Sequence, residues 1–328
     1  MNLSRYKAEY AEYKATGQLN NSIKKWSTNG KNLLFGIFRL VIIVGISYVI
    51  LSPLIGIVSS SFFSEEDVYN PMVYLLPTAP TLERYTKAIL RLDYWNIMKN
   101  TLLYTVSLTL IQLVVTSMVG YGFARFDFPF KKLLFGCVVI MIVIPTHTVM
   151  LPLYMSFATF DPFGILSHFG VETNLLSSPV PMYILTLFGC GLRSGLYIYI
   201  FNQFFRGLPK EIEEAAFVDG AGPWRTYLRV MLPNAVPSII TVTVFSLVWQ
   251  YNDTFYGKLF LISDDILISK SILSLQDNIT NLDKILDPSI SQLYVYAGIV
   301  MLILPLVIMY VLLQRHFIEG VERSGIVG

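Results

Sequence analysis

Long charge-free stretches of apolar residues alternate with short polar segments along most of the chain. A helix needs about 20 mainly apolar residues to cross a bilayer, because the hydrocarbon core offers no water to the backbone. Six stretches meet or nearly meet that length, the fourth interrupted by Arg193: 40–64, 100–124, 133–160, 173–205, 230–252 and 288–314. The pattern predicts an all-α, polytopic membrane protein with six transmembrane helices.

The positions of Lys and Arg predict the orientation, since cytoplasmic flanks of membrane spans are enriched in them. Fifteen of the 24 lie on the set of flanks that includes both termini, against seven on the opposite set. Both termini are therefore expected in the cytoplasm. The predicted external segments are 65–98, 156–178 and 256–290.

The same pattern divides the chain into five parts. They are a cytoplasmic N-terminal segment (1–32), a first transmembrane helix (33–62), an external loop (63–99), a core with five further helices (100–315) and a cytoplasmic tail (316–328). Tyr6, Tyr10 and Tyr13 stand at helical spacing among lysines in the first part. That spacing predicts a short amphipathic helix on the membrane surface.

Composition excludes several classes of protein. The chain has 54% hydrophobic and 14% charged residues, whereas soluble domains carry about a quarter charged residues. A formal net charge of +2 gives no indication of nucleic-acid binding. Cys137 and Cys190 both lie in apolar runs and are expected to be buried, not paired in a disulfide.

The chain shows no chemistry of its own that could energise transport. Arg193 is the one strongly charged candidate inside the spans, whereas proton- or sodium-driven carriers usually place carboxylates there. The Gly-Lys pairs at 30–31 and 257–258 are followed by Asn32 and Leu259, so neither forms a phosphate-binding loop. His147, His168 and His316 lack metal-ligand spacing. We therefore expect no catalytic residue, cofactor or metal in this chain.

The loop 206–233, between the fourth and fifth predicted spans, has the features of a helix of its own. Pro209 suits a first turn, Glu211 and its acidic neighbours favour the positive end of the helix dipole, and Gly220 is placed to end the helix. Ile212 and Ala216 give it a narrow apolar stripe. Such a helix is suited to a groove on another protein. The alternative is a connector lying on headgroups, which the acidic first turn disfavours because inner-leaflet lipids are anionic.

This loop resembles a known signature. Glu214-Ala215-Ala216 is followed after three residues by Gly220, and Leu232-Pro233 comes after Val230, where Ile is commonest. This is the EAA pattern of permease subunits of binding-protein-dependent ABC importers. The resemblance is strongest to carbohydrate permeases of the smaller maltose-permease type, and it runs from about residue 80 to the C-terminus. Supporting stretches include Gly120–Phe126 and the tail from Gln314, where Val327 replaces the usual Lys.

The resemblance implies that the helix docks into a cleft of a separate ATPase, which binds ATP and Mg. It implies a bacterial cytoplasmic-membrane location, a second homologous permease as heterodimer partner, an ATPase dimer and an extracytoplasmic solute-binding protein, with membrane lipid around the spans and no nucleic acid. The residues it assigns to ATPase coupling are Glu213, Glu214, Ala215, Ala216, Asp219, Gly220, Leu232 and Pro233.

The substrate path is predicted near the outer end of the fifth span. Uncharged polar and aromatic side chains suit a sugar, which binds by ring stacking and hydroxyl hydrogen bonds. The candidates are Arg193, Trp249, Gln250, Asn252 and Asp253. An aromatic belt at the membrane interface is an equal alternative for these residues. A permease for polyamine or phosphate, and a secondary carrier, also remain open as alternatives.

Overall fold

The computed structural model describes residues 18–170, 173–261 and 266–325, and side chains from Leu33 to Gln314 with few exceptions. The amphipathic helix expected around Tyr6, Tyr10 and Tyr13 lies outside the described residues. So do the side chains of the predicted tail 316–328. The chain forms one unit up to Ser59 and a second from Ser60 onward.

All the regular secondary structure of the described residues is helical. The first described helix, α1 (Gln18–Ser60), ends at the boundary between the two units. The later helices are α2 (Glu65–Tyr69), α3 (Glu83–Leu92), α4 (Tyr94–Arg125), α5 (Lys131–Val143), α6 (Met150–Ala158), α7 (Ile165–His168), α8 (Val180–Leu187), α9 (Ser194–Gly207), α10 (Lys210–Val218), α11 (Pro223–Thr226), α12 (Leu232–Asn234), α13 (Val236–Tyr251), α14 (Phe255–Phe260), α15 (Ile268–Ser271), α16 (Leu275–Leu282) and α17 (Pro288–Gly325). A π-helical turn, Tyr227–Met231, joins α11 to α12.

Three described helices are long and apolar enough to cross a membrane, namely Leu33–Ser60, Tyr94–Arg125 and Pro288–Leu312. Two bent pairs raise the number to five if each pair is one span. The pair in the third predicted span bends by 105° and the pair in the fifth by 77°. The first bend follows Ile144, which is extended before Pro145, because proline disfavours helical geometry in the residue before it.

The fourth predicted span, 173–205, differs from the expected continuous helix. It consists of the shorter helices α8 and α9, separated by a loop at 188–193. Gly189 and Arg193 have φ of +71° and +60°, in the left-handed region that ends a helix. A Cβ on Gly191 would lie 2.9 Å from Thr186 Cα, so the loop folds tightly against the end of α8. Six continuous helices are therefore not observed.

Helix α4 is the central helix of the second unit. It packs along α9, where Gly120 brings the two backbones together: a Cβ at this position would lie 2.6 Å from Phe201 Cβ and 3.0 Å from the Asn202 nitrogen. Small residues permit such close approach between membrane helices. Beside this contact, buried aromatic rings from α4, α9 and the π-helical turn form a core that includes Tyr121, Phe205 and Tyr227.

Charged side chains connect the first segment predicted to be external, 65–98, to helices near the C-terminal end of the chain. Arg84 of α3 is almost fully buried; it donates a hydrogen bond to the Tyr294 hydroxyl (2.6 Å) and lies 4.7 Å from the centre of that ring. Arg91 makes two hydrogen bonds, of 2.9 and 2.6 Å, to the Asp283 carboxylate. These contacts join α3 to α17 and to Asp283, the residue that follows α16.

The burial expected for the two cysteines is wrong. Cys137 and Cys190 are both exposed and unpaired. An apolar run in a membrane protein can face lipid or a cavity as well as the protein interior. The position of a cysteine in such a run therefore does not show whether the cysteine is buried.

Replacement of Gly120 tests the close packing of α4 on α9. Gly120→Ala should lower the free energy of unfolding by about 1–3 kcal/mol, because the new methyl group overpacks the contact. Gly122→Ala is the matched control, since nothing lies within 4 Å of its Cβ position. Thermal unfolding in detergent should show a lower midpoint for Gly120→Ala alone; equal midpoints for the two variants would contradict the packing.

Candidate functional site

The helix predicted within the loop 206–233 is present as α10, and its end is well defined. Gly220 has φ of +78°. Its N–H donates to Phe217 O and the next N–H, of Ala221, donates to Ala216 O, both at 3.0 Å. This pair of bonds is the Schellman motif, which favours glycine at the left-handed position. The signature glycine therefore turns the chain sharply after α10.

Glu213 points into the protein. Its carboxylate lies 3.2 Å from Nε of Arg125, with both side chains buried, and it accepts a hydrogen bond from the Tyr121 hydroxyl. Arg125 also donates to the backbone oxygen of Leu208, at 2.8 Å, just before α10. These three side chains, named here the anchor cluster (Tyr121, Arg125 and Glu213), hold α10 to the end of α4.

The opposite side of α10 is open. Glu214 and Ala215 are exposed, as are Asp219 and Gly220 beyond the helix end, whereas Ala216 is buried beside Glu213. Val218 is 88% exposed, and Phe217 and Trp224 are also largely exposed. Leu232 is half-buried and Pro233 exposed in α12. The loop thus presents an acidic and apolar surface that none of the described residues covers.

The predicted substrate-path residues fall into two groups. Arg193 lies with its guanidinium carbon 4.3 Å from the centre of the Trp249 ring, a cation–π contact. Arg193 also lines a cavity of about 470 Å³, which is bounded by the bend at 144–149, by the segment 190–196 at the end of the loop and the start of α9, and by Tyr256. The structure therefore places Arg193 at the wall of a cavity and in contact with the Trp249 ring.

The remaining three candidates lie beside this pair and have partners within the protein. Gln250 is buried and donates to Gln112 Oε1 at 3.3 Å. Asn252 is exposed and bonds back to Val248 O. The Asp253 carboxylate accepts the backbone N–H groups of Tyr256 (3.2 Å) and Gly257 (3.0 Å). Burial raises the pKa of Asp253 to about 6, although these bonds oppose the rise.

Sequence reasoning missed three residues that shape these sites. Tyr121 and Arg125 belong to the stretch Gly120–Phe126 that supports the resemblance, but the sequence pattern assigns neither a role. It assigns none to Gln112 either. A glutamine within an apolar span is a usable signal, because an amide in the membrane needs a hydrogen-bond partner.

Comparison with known proteins identifies the family. Residues 112–323 match the model of the binding-protein-dependent transport system inner membrane component. The chain belongs to this family. Relatives include the arabinooligosaccharides transport system permease protein AraQ of Halalkalibacterium halodurans, 26% identical over 293 residues that cover 86% of this chain and 93% of AraQ. Another is the sn-glycerol-3-phosphate transport system permease protein UgpE of Brucella abortus, 24% identical and covering 87% and 95%.

A solved structure shares the fold. It is a bacterial ABC transporter involved in the import of the acidic polysaccharide alginate, and one of its chains matches with a TM-score of 0.68 and 23% identity. The match covers 88% of this chain and 98% of that one. By its family match, the chain is a multi-pass inner-membrane permease subunit of an ABC importer. It is not itself an ATPase, and the family implies ATPase and binding-protein partners.

Removing the buried carboxylate tests the anchor cluster. Glu213→Ala leaves the Arg125 guanidinium buried without its partner, so the free energy of unfolding should fall by about 3–5 kcal/mol. The matched control is Glu211→Ala, an exposed change on the same helix that should stay within about 0.5 kcal/mol. Chemical denaturation of the purified permease in detergent measures both; similar losses for the two variants would argue against a buried ion pair.

Proposed function

We propose that this chain forms half of the translocation path for a sugar or oligosaccharide. It pairs with a second homologous permease, two ATPase subunits and an extracytoplasmic solute-binding protein. Both termini lie in the cytoplasm and the chain crosses the membrane six times, with α8 and α9 together making the fourth crossing. The five crossings within 100–315 form the transport core.

The observation that carries the coupling role is the two-sided arrangement of α10. Glu213 on one side is bound to α4, while Glu214 and Ala215 on the other side are exposed. A helix held this way can be pushed from outside and pass the displacement to a span. In this proposal Glu214 faces a basic residue of the ATPase, Ala215 allows close approach and Gly220 provides the turn. Glu213 acts through the anchor cluster and does not touch the ATPase.

The chemistry near the cavity favours a neutral carbohydrate. A phosphorylated substrate, such as the one in the name of UgpE, calls for cationic groups free to make charge-assisted bonds. Arg193, however, lies over the Trp249 ring. A polyamine calls for free carboxylates, whereas Asp253 is bonded to two backbone N–H groups. Aromatic rings and neutral amides suit a sugar, and AraQ is a carbohydrate permease by name.

Reversing the charge of Glu214 tests the coupling role. In the assembled transporter, Glu214→Lys should lower uptake at least about tenfold, because like charges across an interface cost several kcal/mol. Uptake and ATP hydrolysis are measured together in proteoliposomes.

The matched control is Asp127→Lys, which makes the same charge change on another exposed stretch, where Asp127 pairs only with Lys131 at the surface. Uptake by this control should stay near that of the unmodified protein. Full uptake by Glu214→Lys would exclude the coupling role of this residue.

A panel of labelled substrates tests the carbohydrate assignment. A strain lacking this permease, and the same strain with the gene restored, are compared for uptake of neutral oligosaccharides, sn-glycerol-3-phosphate, phosphate and a polyamine. Restoration should return uptake of at least one neutral oligosaccharide and leave the charged solutes unchanged. Recovery of a charged solute alone would exclude a sugar permease.

A further inference from the structure

Gln112 is a fully buried amide in the middle of the α4 span. Its Nε2 donates to Leu192 O at 2.6 Å and lies 3.0 Å from Ser194 Oγ. Leu192 and Ser194 are the residues on either side of Arg193. The side chain of Gln112 therefore holds the loop that carries Arg193.

The other end of the same amide binds a third element. Gln112 Oε1 accepts from Ser246 Oγ at 2.7 Å and from Gln250 Nε2 at 3.3 Å, both in α13. A buried amide costs free energy unless its donors and acceptors are satisfied. Here both ends have partners, so one side chain of α4 ties together the Arg193 loop and α13.

The loop needs such support because of its backbone. Arg193 has φ of +60°, a conformation that is unfavourable for a residue with a Cβ and persists only where the surroundings impose it. The bonds from Gln112 hold the Leu192 carbonyl on one side of this residue and the Ser194 hydroxyl on the other. They thereby place the guanidinium over Trp249 and at the wall of the 470 Å³ cavity.

Helix α4 carries two side chains of the anchor cluster, Tyr121 and Arg125, near its C-terminal end. Tyr121 lies nine residues after Gln112, a rise of about 13 Å along an α-helix. Between them α4 is one continuous helix, and Gly120 packs tightly on α9. The same rigid element thus contacts α10 at one level and the Arg193 loop at another.

We infer that Gln112 is a positioning residue that links the cavity wall to the span moved by the coupling helix. Displacement of α10 is passed through the anchor cluster to α4. From α4 it is passed through Gln112 to Leu192 and Ser194, on either side of Arg193. The inference rests on the proposed function, in which α10 receives the motion of the ATPase.

Cys190 offers a direct readout, because it is exposed and lines the same cavity. Cys137 is also exposed, so the experiment uses a Cys137→Ser background. The full complex in nanodiscs is treated with a polar maleimide, without nucleotide and with ATP plus vanadate. The rate of Cys190 labelling should differ between the two states, and Gln112→Met should reduce that difference to about a tenth, since it removes all four amide contacts.

Two further variants keep the result interpretable. Ser246→Ala removes one bond to Gln112 and should give a smaller loss of the labelling difference; it decides the matter if Gln112→Met does not assemble. Thr105→Val is the matched control on α4, because the buried Thr105 hydroxyl has no hydrogen-bond partner among the described residues. It should keep the full difference.

The outcomes separate this inference from the proposed function. If Glu214→Lys abolishes the labelling difference but Gln112→Met and Ser246→Ala keep it, the coupling helix works and the role of Gln112 is refuted. If Glu214→Lys keeps the difference, the proposed coupling role fails. An equal labelling rate in both nucleotide states of the unsubstituted complex would also overturn the inference.

Discussion

The buried ion pair between Arg125 and Glu213 determines how the cytoplasmic loop meets the membrane helices. Two charges removed from water are costly, and the cost is recovered only with good geometry and additional hydrogen bonds. Tyr121 supplies one bond to Glu213 and the Leu208 carbonyl accepts one from Arg125. The pair therefore tolerates only one placement of α10. That placement turns Glu214 and Ala215 outward, so the uncovered surface of the loop is a consequence of what is bound on its inner side.

Inside the helical bundle, order depends on small residues and on polar groups. Lipid tails are as apolar as leucine, so burial of apolar surface does little to hold membrane helices together. Close contact at Gly120 and hydrogen bonds from Gln112 supply specific attraction instead. Both residues lie on α4. This helix consequently joins α9, α10, α13 and the Arg193 loop.

The sequence was most informative where structure is local. The helix α10 and its end at Gly220 were predictable because proline, acidic residues and glycine act within a few positions. Long apolar spans were predictable for the same reason. The pairing of Glu213 with Arg125 was not predictable from the sequence, because the two residues are distant along the chain and no local pattern indicates that they meet. The break in the fourth span was missed because hydropathy does not report a left-handed residue such as Arg193.

The two breaks in the helices around the cavity have a common physical requirement. Backbone that leaves helical geometry at membrane depth must be buried in protein or face a water-filled cavity, because lipid cannot satisfy its polar groups. The bend at 144–149 and the segment 190–196, where the loop meets α9, both line the same 470 Å³ cavity. If both places were continuous helix, only side chains would form the wall of the cavity, because the backbone polar groups would be bonded within the helices. Broken helices instead bring non-helical backbone and Arg193 to the cavity, with the Trp249 ring against Arg193. In the proposed function, this arrangement serves a polar, uncharged solute.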